Sequence, residues 1–202
     1  FGYRAHAGYA MTIIRSFEAA SNRARLVRLL DRVTYGAEPD LLAVAQQLGY
    51  EGFVDWQLDF DAIDDQPLEQ LLHDALPTLG MEPDQLAQHM FGDDNLGAAQ
   101  RDLVIATMIR RAYSPRQLFE RVVEFWSDHF NVPASDPVGS YYKFLEDRDM
   151  MRGRAMGRFV DLLKADARSP AMLHYLDNAS NTAEGPNENY ARELLELIRA
   201  GH

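Results

Sequence analysis

Apolar residues recur three or four positions apart along most of this 202-residue chain. In the stretch SNRARLVRLLDRVTYG, for example, Leu26, Leu29 and Leu30 share one helical face. Gly36 follows, and glycine commonly ends a helix. No stretch alternates apolar and polar residues with the period of two that predicts a strand. The pattern therefore predicts an all-α fold: an irregular multi-helix globular domain of roughly nine or ten helices, with no significant sheet.

Further helices are predicted in the second half of the chain. From residue 98 to 113 apolar side chains cover a broad face, so we expect a largely buried helix there. Residues 152–167 carry another apolar stripe. Ser169 followed by Pro170 predicts the N-cap and the first position of the next helix, because serine accepts from free N–H groups and proline needs none.

The chain shows no Ser/Gly-rich linker, no low-complexity run and no internal repeat that would divide it. We therefore expect residues 21–202 to form a single all-α domain. Residues 1–20 are expected to be an N-terminal tail or leader. A chain of this length can bury a core large enough to be stable without disulfides or metal.

Composition excludes several classes of function. With no cysteine, the chain cannot form disulfides, thiolate zinc sites or iron–sulfur clusters, although the compartment stays open. Its 31 acidic and 20 basic side chains give a net charge of −11, which argues against nucleic-acid binding. No apolar run approaches the ~20 residues of a membrane span, and no signal peptide is visible, so the sequence predicts a soluble chain.

The segment RQLFERVVEFWSDHFNVP places a histidine on the apolar half of a predicted helix. One interpretation of His129 is a core histidine bonded to a backbone carbonyl or a carboxylate. The other is a general acid/base or metal ligand, assisted by Asn131 and Asp136 from the following loop. None of the spacings typical of zinc proteases, P-loops, serine hydrolases or EF-hands is present, so the sequence assigns no metal and no cofactor.

The closing segment PNENYARELLELIRAGH predicts an amphipathic helix capped by Gly185 or Asn187. Its apolar arc comprises Tyr190, Leu194, Leu195, Leu197 and Ile198. Its polar arc comprises Glu188, Asn189, Arg192, Glu193, Glu196 and Arg199. One interpretation of the polar arc is a solvated face with a Glu188–Arg192 ion pair. The other is a carboxylate ridge with Arg192 as an anion clamp, facing the helix of His129 across a cleft.

The loop LDNASNTAEGPNEN, with Asp177, Asn178 and Asn181, precedes this helix. Its asparagines, glycine and proline are typical of turns. The loop either lines the expected cleft or merely connects two helices.

Three segments, in order, resemble one known family: RRAYSPRQLFERVVEFWSDHFNV, RFVDLLKADARSPAMLHYLDNASN and PNENYARELLEL. The family is the bacterial one catalogued as domain of unknown function 1800. LLDRVTYGAEPDLLAVAQQLGYEGFVDWQL is similar to its opening segment, so the resemblance covers roughly residues 24–200. Its members continue well beyond the ARELLEL helix, which implies that this chain corresponds to the N-terminal half of the family pattern.

The resemblance implies a location and a kind of partner, but no activity. Members are commonly exported, and their genes often neighbour those of a secreted family related to sulfatases and phosphatases. It therefore implies work in the cell envelope or outside the cell with a secreted protein partner. The motif positions here are Trp126, His129, Phe130, Asn131, Asp177, Asn178, Asn187, Glu188, Asn189, Tyr190, Arg192, Glu193 and Glu196. Many members have W-H-N-H-F where this chain has Ser127 and Asp128, which argues against a paired-histidine metal site.

Two functional hypotheses follow. The first is a non-enzymatic binding or interaction module of the envelope or exterior, with binding positions Trp126, Asn131, Asp177, Asn178, Asn187, Asn189 and Glu196. The second is a hydrolytic or metal-assisted enzyme with catalytic positions His129, Glu188, Arg192 and Glu193. The first is favoured because the chain carries no self-sufficient catalytic motif. Substrate, metal and oligomeric state are left open by the sequence.

Overall fold

The computed structural model describes residues 19–199, with side chains described as far as residue 196. Within those residues helices are the regular secondary structure and no strand occurs, so the all-α prediction is confirmed. Most of the predicted N-terminal tail or leader, residues 1–18, lies outside the described residues.

The helices are numbered here in chain order. They are α1 (19–33), α2 (Pro39–Leu58), α3 (Gln66–Ala75), α4 (Pro83–Ala87), α5 (Ala98–Tyr113), α6 (Gln117–His129), α7 (Pro137–Leu145), α8 (Arg152–Arg154), α9 (Phe159–Asp166), α10 (Pro170–Tyr175) and α11 (Asn189–Arg199). Two stretches have the wider π-helical hydrogen bonding, Gln88–Gly92 and Glu146–Met151. Such turns inside α-helices are rare and often found at functional sites.

Helix α2 is two helical segments joined by a kink at Gly49. Gly49 has φ +74° and ψ 178°, a conformation that essentially only glycine adopts. Pro39 occupies the first turn of α2, as its position in the sequence predicts. Ser169 likewise caps α10, because its hydroxyl accepts a hydrogen bond from the N–H of Met172 at 3.0 Å.

The described chain divides into two compact units. The first comprises the residues up to Asp64 together with Pro115–Arg121. Its core is formed by buried side chains from α1 and α2: Leu26, Leu29, Leu30, Leu42, Ala45 and Phe53. The prediction of a single domain over residues 21–202 stays a prediction.

A buried amide ties the two sequence segments of the first unit together. Gln57, fully buried, donates to the carbonyl of Pro115 and accepts from the N–H of Leu118, both at 2.9 Å. Phe60 stacks on Phe119 with 4.8 Å between ring centroids. A buried amide must have its polar atoms satisfied, so Gln57 fixes the start of α6 as well as the end of α2.

The second unit comprises Asp65–Ser114 and the chain from Val122 onward. Its largest apolar core includes Leu72, Leu76, Leu79, Leu86, Met90, Ala98, Ala99, Ala106 and Phe144. Beside it, Arg110 makes a bidentate ion pair with Glu69, at 2.8 and 2.7 Å, which joins α5 to α3. A bidentate guanidinium–carboxylate pair fixes orientation as well as distance, so the two helices are held in one register.

Two predictions about helix faces are wrong. Helix α5 is not largely buried, because Val104 and Met108 are 49% and 64% exposed and the buried face is made by smaller or polar side chains such as Ala106 and Asp102. The stripe from 152 to 167 does not lie on one helix, since the helix breaks between α8 and α9, where Gly157 bonds back to Arg154. Amphipathic spacing shows which residues share a face but not what that face contacts.

None of the helices in the described part of the chain combines the length and the apolar character needed to cross a bilayer.

Candidate functional site

A cleft of about 190 Å³ lies where the end of α6 meets α10 and α11. We call it the His129 cleft. It is lined by His129, Phe130, Asn131, Met172, Tyr175, Leu176, Tyr190, Glu193 and Leu194. Beneath it lies a small apolar cluster formed by Val132, Ala171, Met172 and Leu176, against which Tyr190 packs. The second unit alone therefore builds this site.

The His129 imidazole sits in an aromatic environment and is half-buried. It stacks on Phe125 at 5.9 Å and meets Trp126 and Phe130 edge-on, at 5.7 and 4.9 Å between centroids. Within the described residues its two nitrogens have no hydrogen-bond partner. The ring is half-buried and no carbonyl or carboxylate of a described residue bonds it, so the interpretation of His129 as a bonded core histidine finds no support within residues 19–196.

Trp126 is a structural member of this aromatic group. Its indole N–H donates to the carbonyl of Ala155 at 2.9 Å, and its ring stacks on Phe159 at 5.5 Å. The carbonyl belongs to the break between α8 and α9, so Trp126 satisfies a backbone group that the break leaves free. Trp126 does not line the His129 cleft.

Two further polar side chains, Asn131 and Glu193, line the cleft and are exposed at its mouth. Neither side chain has a hydrogen bond or ion pair with another described residue. Tyr175 and Tyr190 supply aromatic walls between them. The cleft thus combines one imidazole, one amide and one carboxylate, all with unused hydrogen-bonding capacity, and aromatic surfaces.

Asn187 holds the start of α11 in place. Its amide donates to the carbonyls of Leu176 and Asp177, at 3.1 and 3.4 Å, and its side-chain oxygen accepts from the N–H of Asn189 at 2.9 Å. Asn181 adds two bonds, accepting from the Asn187 N–H at 2.9 Å and donating to the Asn187 carbonyl at 3.3 Å. Asn187, one of the two predicted caps, therefore ties the end of α10 to the first turn of α11.

The loop residues Asp177 and Asn178 belong to the same framework. Asp177 adopts the left-handed conformation, φ +55°, and its carbonyl accepts from Ser180 as well as from Asn187. The side-chain oxygen of Asn178 accepts from Asn181 at 2.9 Å. Both residues shape the turn that delivers α11 to the cleft rather than lining it.

The remaining predicted positions on α11 and at its start point into solvent. Glu188, Asn189, Arg192 and Glu196 are exposed, and none of them lines the cleft. Glu188 and Arg192 do not form the predicted ion pair. The ridge of three carboxylates clamped by Arg192 is therefore not part of this site, and of the predicted catalytic residues only His129 and Glu193 come together.

A buried ionisable cluster close to the cleft was missed from the sequence. Glu146, 4% exposed, accepts from the Ser169 hydroxyl at 2.7 Å and pairs with Lys143 at 3.4 Å. Lys143 also reaches the carbonyl of Ser127 in α6 at 3.5 Å. Asp166, 1% exposed, lies near both charges, and one of its carboxyl oxygens has no hydrogen-bond partner. We call these four residues the Lys143 cluster.

Burial dominates the chemistry of this cluster. Burial and the neighbouring Glu146 carboxylate raise the pKa of Asp166 to about 7, with Lys143 opposing the shift. Burial also raises the pKa of Glu146, although Lys143 and Ser169 partly offset it. Burial and the charge of Asp166 likewise raise the pKa of Tyr190, which lines the His129 cleft.

One sequence signal could have revealed Asp166. It lies four residues after Leu162, so it falls on the buried face of α9 in any helical projection. An acidic residue on an apolar helix face, like a histidine there, points to a buried titratable group and a candidate functional site. Glu146 gave no such signal, because one of its two hydrogen-bond partners, Ser169, is distant in the chain.

Within residues 19–196, no group of three or more His, Asp or Glu side chains is arranged to hold a metal ion. The cleft's own donors, one imidazole and one carboxylate with an amide, do not form such a group either.

Comparison with known proteins gives a family but no characterised relative. No curated protein and no solved structure matched the chain significantly. A model of the family described as "Protein of unknown function (DUF1800)" matches residues 28–201. That span includes the whole of the cleft, the asparagine framework and the Lys143 cluster. Since the match extends over most of the chain, this protein belongs to the DUF1800 family.

Proposed function

We propose that this protein is a binding module that recognises a basic side chain of a protein partner in the His129 cleft. The observation that carries the proposal is the set of His129, Asn131 and Glu193, three polar side chains with unused hydrogen-bonding capacity in one aromatic-walled cleft. Following the family's expected location, the module works in the cell envelope or outside the cell, and its partner is a secreted protein.

The size of the cleft favours a side chain over a whole small molecule. Its volume of about 190 Å³ is below the roughly 300–1,000 Å³ of pockets that enclose drug-sized ligands. Pockets that receive one anchoring side chain are a common feature of protein interfaces, and arginine is among the most frequent anchors.

Charge and aromatic content favour a basic anchor. Glu193 provides a carboxylate, and Tyr175 and Tyr190 provide rings on which a guanidinium can stack. The whole chain carries a net charge of −11, so its field attracts basic partners and repels acidic ones.

A hydrolytic enzyme is the weaker alternative. A catalytic histidine needs a second group to orient it, and no described residue forms a hydrogen bond with the His129 ring, which packs against the aromatic rings of Phe125, Trp126 and Phe130. Of the three residues proposed to act with His129, Glu193 lines the cleft, whereas Glu188 and Arg192 lie outside it. A metal-assisted reaction has no ligand cluster to support it in the part of the chain described.

The proposal is tested by nuclear magnetic resonance titration of the intact chain with Nα-acetyl-arginine amide. We expect saturable shifts of the His129 ring and the Tyr175 and Tyr190 side chains. The uncharged isostere Nα-acetyl-citrulline amide should bind more weakly. Glu193→Gln should weaken arginine binding by about two- to fivefold, as expected for one partly exposed charge pair.

Glu188→Gln is the matched control, because it makes the same chemical change on an exposed carboxylate that does not line the cleft. It should leave arginine binding unchanged. Equal binding of the citrulline compound, or equal weakening by both variants, would show that the cleft does not read a guanidinium.

A further inference from the structure

A second cavity, of about 420 Å³, lies between the π-helical turn Glu146–Met151 and the start of α10. It is large enough for a molecule of one ring or a short chain. Its walls also include residues of α7 and α9. We call it the Arg168 cavity, and no step of the proposed recognition at the His129 cleft uses it.

Two guanidinium groups, those of Arg154 and Arg168, line the Arg168 cavity and form few bonds with other described residues. The side chain of Arg168 is exposed and has no hydrogen bond or ion pair with another described residue. Arg154 makes one long bond of 3.4 Å, to the carbonyl of Met150 in its own turn. Guanidinium groups offer five donors each and match carboxylates bidentately, so most of the binding capacity of this pair is unused.

The acidic groups of the same cavity are already occupied. Asp149 is engaged by Arg148 through two bonds, at 2.5 and 2.9 Å. Glu146 is bonded to Ser169 and Lys143. A ligand entering the cavity therefore meets open donors rather than open acceptors, which favours an anion over a cation.

Most of the rest of the wall is apolar and is contributed by Leu145, Met150, Ala165 and Pro170, with Tyr142 and Ser169 completing it. A bare inorganic anion would leave this surface wet, whereas an apolar body would bury it. The remaining carboxylates Glu146 and Asp149 still contribute negative charge, which disfavours a doubly charged head more than a singly charged one.

We propose that the Arg168 cavity binds an amphipathic organic acid, with its carboxylate held by Arg154 and Arg168 and its apolar body packed against Leu145, Met150, Ala165 and Pro170. This is a second ligand site in the same compact unit, with chemistry opposite to that of the His129 cleft: it takes an anion where the cleft takes a cation.

Isothermal titration calorimetry of the intact chain with 4-phenylbutyrate tests the proposal. We expect saturable binding to one site. Acetate, which has the head without the body, and 4-phenylbutanol, which has the body without the charge, should each bind at least about tenfold more weakly, because each lacks one of the two interactions. 4-Phenylbutyl phosphate should not bind more tightly than the carboxylate.

The double variant Arg154→Met, Arg168→Met should weaken 4-phenylbutyrate binding by about tenfold or more. Arg158→Met is the control, since Arg158 is exposed, directly precedes α9 and does not line the cavity. Both residues of the double variant are exposed, so it should fold, and its circular dichroism spectrum should match that of the native chain. Absence of 4-phenylbutyrate binding, equal binding of the alcohol, tighter binding of the phosphate, or equal loss in Arg158→Met would overturn the proposal.

Discussion

At the scale of single residues, Asp166 shows how burial sets chemistry. Its carboxyl is 1% exposed and lies near Glu146 with only Lys143 to compensate. Ionising it costs desolvation and like-charge repulsion, so the pKa of Asp166 rises from 3.8 to about 7. A group perturbed in this way makes the stability of the fold depend on pH.

Asp166→Asn should remove part of that dependence. Between the unfolded pKa of 3.8 and the folded pKa of about 7, folded Asp166 keeps a proton that the unfolded chain releases. Stability from this group is therefore complete below the lower value and is lost as pH rises, by up to about 1.4 kcal/mol per pH unit. We expect the free energy of unfolding of the variant, measured by denaturant titration, to increase relative to that of the native chain as pH rises from about 4 to about 8.

The control for this prediction is Asp161→Asn, an exposed carboxyl on the same helix. It should follow the native pH profile. Lys143, Glu146 and the other titratable groups are present in every variant, so the difference between the profiles reports the substituted carboxyl. Parallel profiles for native chain and Asp166→Asn would contradict the assigned shift.

At the scale of elements, the part of α11 whose side chains are described, up to Glu196, is held by polar anchoring more than by burial. Leu195 on its predicted apolar arc is 57% exposed, and Tyr190 and Leu194 are only half-buried. Leu197 and Ile198 of the same arc lie outside the described side chains. The bonds of Asn187 to the end of α10 therefore carry much of the helix's position.

Asn187→Ala should loosen α11 locally. Loss of the cap and of the two bonds to Leu176 and Asp177 should cost about 1–2 kcal/mol, the range for removing an N-terminal cap. We expect faster amide hydrogen exchange in α11 with little change in α5. Asn189→Ala is the matched control, because the Asn189 side chain is exposed and only its backbone N–H is bonded. Equal exchange in the two variants would refute this anchoring role.

Gly49 illustrates a second constraint at the level of elements. Space is not the issue, since no atom lies within 4 Å of an added Cβ. The constraint is instead the positive φ of +74°, a backbone conformation that is strained for a residue with a side chain.

Gly49→Ala should therefore lower the free energy of unfolding by about 1–2 kcal/mol. Gly153→Ala provides the opposite control, because Gly153 lies in α8 with equally open space and no positive φ. It should raise stability by about 0.4–1 kcal/mol through the reduced entropy of the unfolded chain. Thermal or denaturant unfolding of both variants checks the sign, and a stabilising Gly49→Ala would show that α2 can straighten.

At the scale of the whole molecule, the net charge of −11 would act on ligands at both proposed sites. The field attracts cations toward the His129 cleft and opposes anions at the Arg168 cavity except where two guanidiniums override it locally. Added salt screens such long-range effects, with a Debye length of about 10 Å at about 0.1 M.

Screening of this background field by salt should therefore have opposite effects on ligand binding at the two sites. We expect arginine amide to bind the His129 cleft more weakly as sodium chloride rises from about 20 to about 300 mM, because screening removes the attraction of the acidic surface. 4-Phenylbutyrate should lose less affinity over the same range, since its direct contacts weaken while the repulsion of the acidic surface is also screened. Identical salt dependence for the two probes would contradict this account.

The sequence predicted local features well. Helical spacing gave the fold class, Pro39 and Ser169 marked two helix starts, and Asn187 was one of two expected caps. These features depend on residues a few positions apart, and local hydrogen bonding is enough to decide them.

Which faces are buried was decided only by tertiary structure. Met108 is exposed although its helix carries a broad apolar face, whereas Glu146 and Asp166 are buried although their charges predict exposure. Their surroundings come from segments distant in the chain, such as the Ser169 hydroxyl that bonds Glu146. The sequence by itself determined that the chain is helical, that helices begin at Pro39 and after Ser169, and that His129 shares a face with aromatic residues. The packing of α6, α10 and α11 alone decided that His129 meets Glu193 in a cleft while Arg192 does not, because burial is a property of neighbouring segments and periodicity is a property of one.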